Sequence, residues 1–202
     1  MRKSQNWTGF DIRSGQDAKR IIDLEKTMSK SGIPSAIGVD HVAITVPDLQ
    51  QALDFFVNVL GCEHAFTAGP FSDPTGTWME TNLAVDPRAA TTLAMVRCGP
   101  TQNVEIFQYD APDQVTRGPR NSDIGASHIA FRVTDMAAAV AYLRAQPGVT
   151  VLGDPTPVSG QPNGGLTFVY FQTPWGLSME LVCYERLDYE ATTSTRLFTV
   201  GA

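Results

Sequence analysis

Apolar and polar residues alternate along two short stretches, GVDHVAITV at 38–46 and GASHIAFRV at 125–133. Successive side chains of a strand point to opposite faces, so each stretch predicts a half-buried strand. Val42, Ile44 and Val46 make one apolar row, and Ile129, Phe131 and Val133 make the other. The period then changes from two to about 3.6. After Asp48, an N-cap residue with Gln51 at the capping-box position, Leu49, Ala52, Leu53, Phe56 and Leu60 trace one helical face that Gly61 ends. After Asp135, the residues Met136, Ala139, Val140 and Leu143 do the same as far as Pro147-Gly148. β-rich runs follow each helix, at 91–97 and 103–109 and again at 166–172 and 177–184.

The two halves align without a gap at an offset of 87 residues. Gly38 matches Gly125, His41 matches His128, Asp48 matches Asp135 and Ala52 matches Ala139. A duplicated unit explains this. The reading is an α+β chain of two tandem βαβββ modules, at 37–112 and 125–185, joined by a linker at 113–124. A helical arm at 1–36 precedes them and a tail at 186–202 follows. The first module carries about 12 extra residues, assigned to the loop region 69–90. Two Pro/Gly-rich stretches, GPFSDPTGT and GDPTPVSGQPNGGL, fall in comparable places and read as hairpin turns or as covers for a site.

Strand parity sends His41 and His128 to the face away from the helices. The last strand of each module repeats the device, with Glu105 between Val104 and Ile106, and Glu180 between Met179 and Leu181. Two imidazoles and two carboxylates on such faces suit one divalent metal ion. Nitrogen and oxygen donors without thiolate point to Zn, Ni, Co, Mn or Fe. The alternative is that these polar side chains simply line a binding cup. Arg132 shares the face of His128 and is a candidate anchor for an anionic substrate group, or a structural ion pair. Phe107 and Tyr109 follow Glu105 on its face as candidate pocket walls. Arg117 and Arg120 lie in the linker, and His64 reads as a surface or rim residue.

Charge divides the chain. The 202 residues carry a formal charge of −6, yet all four lysines lie within the first 30 residues. There Ile21, Ile22, Leu24 and Met28 fit a short amphipathic helix between Gly15 and Pro34. The acidic body argues against nucleic acid as a partner. No run approaches the roughly 18 apolar residues of a membrane span, and the N-terminus lacks the apolar core of a secretory signal, so a cytoplasmic protein with no membrane partner is expected. Cys62, Cys98 and Cys183 are odd in number and far apart, and read as free thiols.

The stretches DHVAITVPDLQQALDFFVNVLG, SHIAFRVTDMAAAVAYL and FVYFQTPWGLSMELV resemble the vicinal oxygen chelate superfamily over about residues 37 to 185. That superfamily includes glyoxalase I, methylmalonyl-CoA epimerase, extradiol dioxygenases and the bleomycin- and fosfomycin-resistance proteins. The resemblance implies a cupped half-barrel of mixed sheet around one metal, held here by His41, Glu105, His128 and Glu180. A fourth, carboxylate ligand at Glu105 favours the glyoxalase and epimerase branches. It implies a metal-dependent lyase or isomerase that moves a proton beside a carbonyl of a small, anionic or thioester substrate, with Glu105 and Glu180 as bases, in a homodimer. A ring-cleaving dioxygenase and a metal-free drug-binding resistance protein are the alternatives. Thr173-Pro174-Trp175-Gly176 departs from the family's usual Asp-Pro turn.

Overall fold

A computed structural model describes residues 33–36 and 38–198. The expected amphipathic helix of the arm lies outside these residues. The chain divides into two compact units, Met1–Val42 and Ala43–Ala202. The described part of the first holds a turn closed by the Ala36 N–H on the Ile33 carbonyl (3.1 Å), and the Asp40-His41 pair.

Each half opens on a strand and a helix and ends in paired strands, in keeping with the fold expected. In chain order come β1 (Val42–Thr45), α1 (Leu49–Asp54), β2 (Glu63–Ser72), α2 (Trp78–Leu83), β3 (Ala90–Cys98) and β4 (Gln102–Asp110). They are followed by β5 (Ile129–Arg132), α3 (Met136–Arg144), β6 (Thr150–Pro157), β7 (Leu166–Gln172) and β8 (Ser178–Tyr184). The strands make two four-stranded sheets of the same order, β1-β4-β3-β2 and β5-β8-β7-β6. β5 runs parallel to β8 and the other pairs of its sheet are antiparallel, so that sheet is mixed.

Local chemistry sets the helix starts. The Asp48 carboxylate accepts the Gln51 N–H (2.8 Å), and Asp135 accepts that of Ala138 (2.9 Å). Each satisfies a donor that the first helical turn leaves over. α1 then widens into a π turn over Phe55–Val59, with the Leu60 N–H reaching back to the Phe55 carbonyl (3.1 Å). Phe55 and Phe56, three and four residues beyond the buried Ala52, share its face and are both buried. Gly61, at φ +73°, ends the helix where a side chain would be strained. The apolar row of β1 is correct for Ile44 and Val46, whereas Val42 is 48% exposed at the strand's start.

Three details differ from the sequence reading. Cys62 and Cys98 are not free thiols: they form a disulfide across 36 residues. β2 pairs with β3 so that Glu63 faces Arg97, which puts the preceding and following cysteines side by side, a proximity that sequence spacing does not express. Cys183 is free. The extra residues of the first module are not only loop, because they contain α2. The two Pro/Gly-rich stretches begin inside β2 and β6 rather than lying wholly in turns.

The helix-bearing sides of the two modules share one core. Ile44, Val46, Ala52, Phe56, Val104 and Ile106 belong to the same buried cluster as Val140, Leu143, Val169, Phe171, Met179 and Leu181. At the seam Tyr142 donates its hydroxyl to the Val59 carbonyl (3.1 Å), and the Phe55 and Trp175 rings meet edge to face at 5.5 Å. The opposite face of each sheet stays outside that core.

Candidate active site

The second module gathers the densest polar chemistry. β5 and β8 pair in parallel register, Ala130 beside Glu180 and Arg132 beside Val182, so the even-numbered residues of both strands face away from the core. Met179 and Leu181 are buried on the core face, as the parity required. His128, just before β5, brings its Nε2 to 3.1 Å from Glu180 Oε2. The His128 side chain is 38% exposed and that of Glu180 only 13%, so the carboxylate is sheltered and the imidazole opens to solvent.

β7 completes this face with residues the sequence reading did not single out. Tyr170 lies opposite Glu180 and Phe168 opposite Val182. The Tyr170 ring meets His128 edge-on at 5.2 Å and Phe168 at 5.9 Å. Burial pushes the Tyr170 phenol above its ordinary 10.0, and the Glu180 charge adds to the rise. Tyr184 is raised by burial first and then by Glu180 and Tyr189, while Arg132 pulls it back. The signal was in LTFVYFQ: with Val169 and Phe171 assigned to the core, alternation leaves Phe168 and Tyr170 on the site face.

The first module offers a parallel arrangement. Glu105 stands on β4 between the buried Val104 and Ile106, opposite Met95 of β3. Phe107 and Tyr109 follow on its face with their rings stacked at 5.4 Å. Burial raises the Tyr109 phenol above 10.0, and Glu105 raises it further. Beyond Tyr109 an open pocket of about 790 Å³ is lined by Thr45, Tyr109, Gln114, Glu80, Asp86 and Asp113 among others. α2 supplies Glu80 to it; its approach is shaped by Asp73, which accepts the Gly76 and Trp78 N–H groups.

His41 belongs to the leading unit, where its Nδ1 lies 2.7 Å from Asp40 Oδ1. His64 is exposed on β2 and bonded to the Thr67 hydroxyl (2.9 Å). Arg120 pairs with Asp123 (2.7 Å) within the linker, a structural contact that orders the turn, and Arg117 is exposed. Arg132 lies against the Phe198 ring, 4.3 Å from its centroid. The structure thus brings together His128 and Glu180, and Glu105 with Phe107 and Tyr109. Among the described residues no group of three or more His, Cys, Asp or Glu side chains is gathered to hold a metal ion. The contact of one imidazole nitrogen with one carboxylate oxygen does fit the donor chemistry of a borderline divalent cation.

Residues 40–171 match the family model described as the Glyoxalase/Bleomycin resistance protein/Dioxygenase superfamily. The chain belongs to that superfamily. It is 49% identical over 172 residues to a 2-epi-5-epi-valiolone epimerase from an Actinomyces species, covering 85% of this chain and 93% of that one. Among solved structures, a glyoxalase family protein from Bacillus cereus superposes with a TM-score of 0.58 at 20% identity, over 78% of this chain and 99% of that one. Another from Enterococcus faecalis gives 0.51 at 23% identity, over 72% and 96%. These two bear out the fold of paired four-stranded sheets. The similarity to an epimerase over nearly the whole of both chains makes this member of the superfamily an enzyme of the isomerase type.

Proposed function

We propose that the protein is an epimerase acting on a ketone of the 2-epi-5-epi-valiolone kind, inverting a carbon beside the carbonyl by taking a proton from one face and returning one to the other. The observation that carries this reading is a duplicated arrangement in which a strand carboxylate shares its sheet face with a phenol: Glu105 and Tyr109 along β4, and Glu180 with Tyr170 opposite it on β7. Epimerisation needs a proton acceptor on one side of a flattened intermediate and a donor on the other, and two equivalent acid-base pairs supply both. Glu180, held by His128, takes the proton through Oε2, and Glu105, protonated at that moment, returns one to the opposite face; in the reverse direction the two exchange roles. The phenols of Tyr109 and Tyr170 stay protonated at neutral pH and can donate hydrogen bonds to substrate oxygens. Phe107 walls the first face and Arg132 lies on the second. The ketone substrate of this reading follows the relative's name.

Glu105, His128 and Glu180 are the residues that would hold one divalent metal of the Zn, Ni, Co, Mn or Fe group. When bound, such an ion polarises a carbonyl and stabilises the negative charge that forms as the proton leaves. A homodimer belongs to the same reading. The two modules pack through their helix-bearing sides, and among the described residues β1 and β5 each stand at the end of a sheet. A second copy pairing there would set Glu105 of one chain against His128 and Glu180 of the other. The reading also keeps the enzyme in the cytoplasm; among the described residues no helix is long and apolar enough to cross a membrane.

The test is incubation with 2-epi-5-epi-valiolone in D2O, followed by proton NMR. A new epimer carrying one deuteron at the inverted carbon is expected. Absence of both epimer and exchange across a panel of cyclic ketones, with protein loaded with each metal in turn, would refute the proposal.

A further inference from the structure

The segment after β8 is built as a closed hook. The Glu185 N–H bonds the Gly165 carbonyl (2.9 Å), and the chain then lies directly on the backbone at 164–165. A Cβ on Gly165, at φ +86°, would stand 2.4 Å from Arg186 Cγ, and one on Gly164 would stand 2.3 Å from Asp188 Oδ2. At Gly165, where the Arg186 carbonyl oxygen would also lie 2.7 Å from the Cβ, only glycine permits that approach. A 3₁₀ turn over Asp188–Ala191 buries Tyr189, whose hydroxyl accepts the Leu197 N–H (3.0 Å) while its carbonyl accepts the Thr192 hydroxyl (2.8 Å). Arg196 closes the loop on the Thr193 carbonyl (3.0 Å). The far end of the hook is therefore held at one buried tyrosine.

This hook delivers Phe198 to the site face. Its ring lies 5.4 Å from that of Tyr184, inclined at 66°, and 4.3 Å beneath the Arg132 guanidinium carbon. Tyr184 and Arg132 occupy the same face of β8 and β5 as Glu180, by strand register. We propose that Phe198 is a specificity-determining residue: it walls the His128/Glu180 face and holds Arg132 flat, so that only the guanidinium edge addresses a ligand. A guanidinium stacked on a ring keeps its N–H groups in plane, which favours a directed, edge-on contact with ligand oxygens. The wall limits the size of what can lie beside Glu180. The ligand's identity rests on the epimerase reading, and the placement of Phe198 does not.

The experiment uses the full chain with Phe198→Ala, Phe198→Leu and Phe198→Tyr, each checked for an unchanged melting transition. Phenylglyoxal labelling of Arg132, followed by peptide mass spectrometry, should accelerate about fivefold in Phe198→Ala and stay near the wild-type rate in Phe198→Tyr, since only the latter keeps a ring over the cation. With the ketone, Phe198→Ala should raise KM about tenfold, more than it lowers kcat, and should accept a bulkier ketone relative to the small one. Equal labelling rates would overturn the placement, and an unchanged KM and substrate preference would overturn the role. If the wild-type enzyme turns over no ketone, the epimerase reading falls, and the labelling rates alone decide whether Phe198 covers Arg132.

Discussion

At the residue scale the reactive groups are defined by what lies beside them. Glu180 is sheltered between Met179 and Leu181 and touches His128, while Glu105 is bracketed by Val104 and Ile106. Both positions were legible, because alternation leaves no other face for a charge inside an apolar strand. Tyr170 was not singled out, since a tyrosine among Phe168, Val169 and Phe171 looks like core until register places it opposite Glu180. The phenols give a pH prediction. Tyr109, Tyr170 and Tyr184 all have raised pKa values, so their contribution to stability is fully present below 10.0 and is lost as pH rises through the higher folded values. Ultraviolet titration should show phenolate from these residues only above 10.0, with stability falling in step; ionisation of all tyrosines at or below that value would contradict the assignment.

Elements were read unevenly, for physical reasons. α1, α3 and the inner strands follow clean periods and carry caps. β2 and β6 escaped because their registers slip, between His64 and Phe66 and between Ala68 and Phe71 in β2, and between Leu152 and Thr156 in β6. A bulge breaks the two-residue period that identifies a strand. Both strands end their sheets, where proline is tolerated, and so Pro70, Pro155 and Pro157 occur within them. The cap at Asp135 should matter in proportion to one lost donor: Asp135→Ala should cost about 1 kcal/mol by denaturant melting. The Cys62–Cys98 bond closes a 36-residue separation, and replacing both cysteines by alanine should cost about 2–4 kcal/mol. A reducing compartment works against such a bond. Counting free thiols in protein quenched directly from cells therefore checks bond and location together: one thiol is expected if the bond persists, and three would place the disulfide outside the cell's working state.

At the scale of the whole molecule, duplication is the feature from which the site follows. Each module buries its helix-bearing side against the other and presents a carboxylate with phenols on its opposite face, Glu105 with Tyr109 and Glu180 with Tyr170 and Tyr184. A dimer that joins these faces predicts complementation between two inactive variants. Mixing Glu105→Gln with Glu180→Gln under subunit exchange should restore about a quarter of wild-type activity, because half of the pairs are mixed and each mixed pair regains one intact site. No recovery would show that each site is built within one chain.

The central claim is that two carboxylates divide the work of inverting one carbon. Its most direct measurement is substrate turnover in D2O by the Glu105→Gln and Glu180→Gln variants, following epimer formation and deuterium entry separately. Each variant should form epimer about 10²–10⁴-fold more slowly than wild type, while one of them still washes deuterium into the unconverted substrate from the face its remaining base serves. Epimer formation within about threefold of wild type in both variants would contradict the account, since a proton-transfer group in this role contributes at least about a hundredfold.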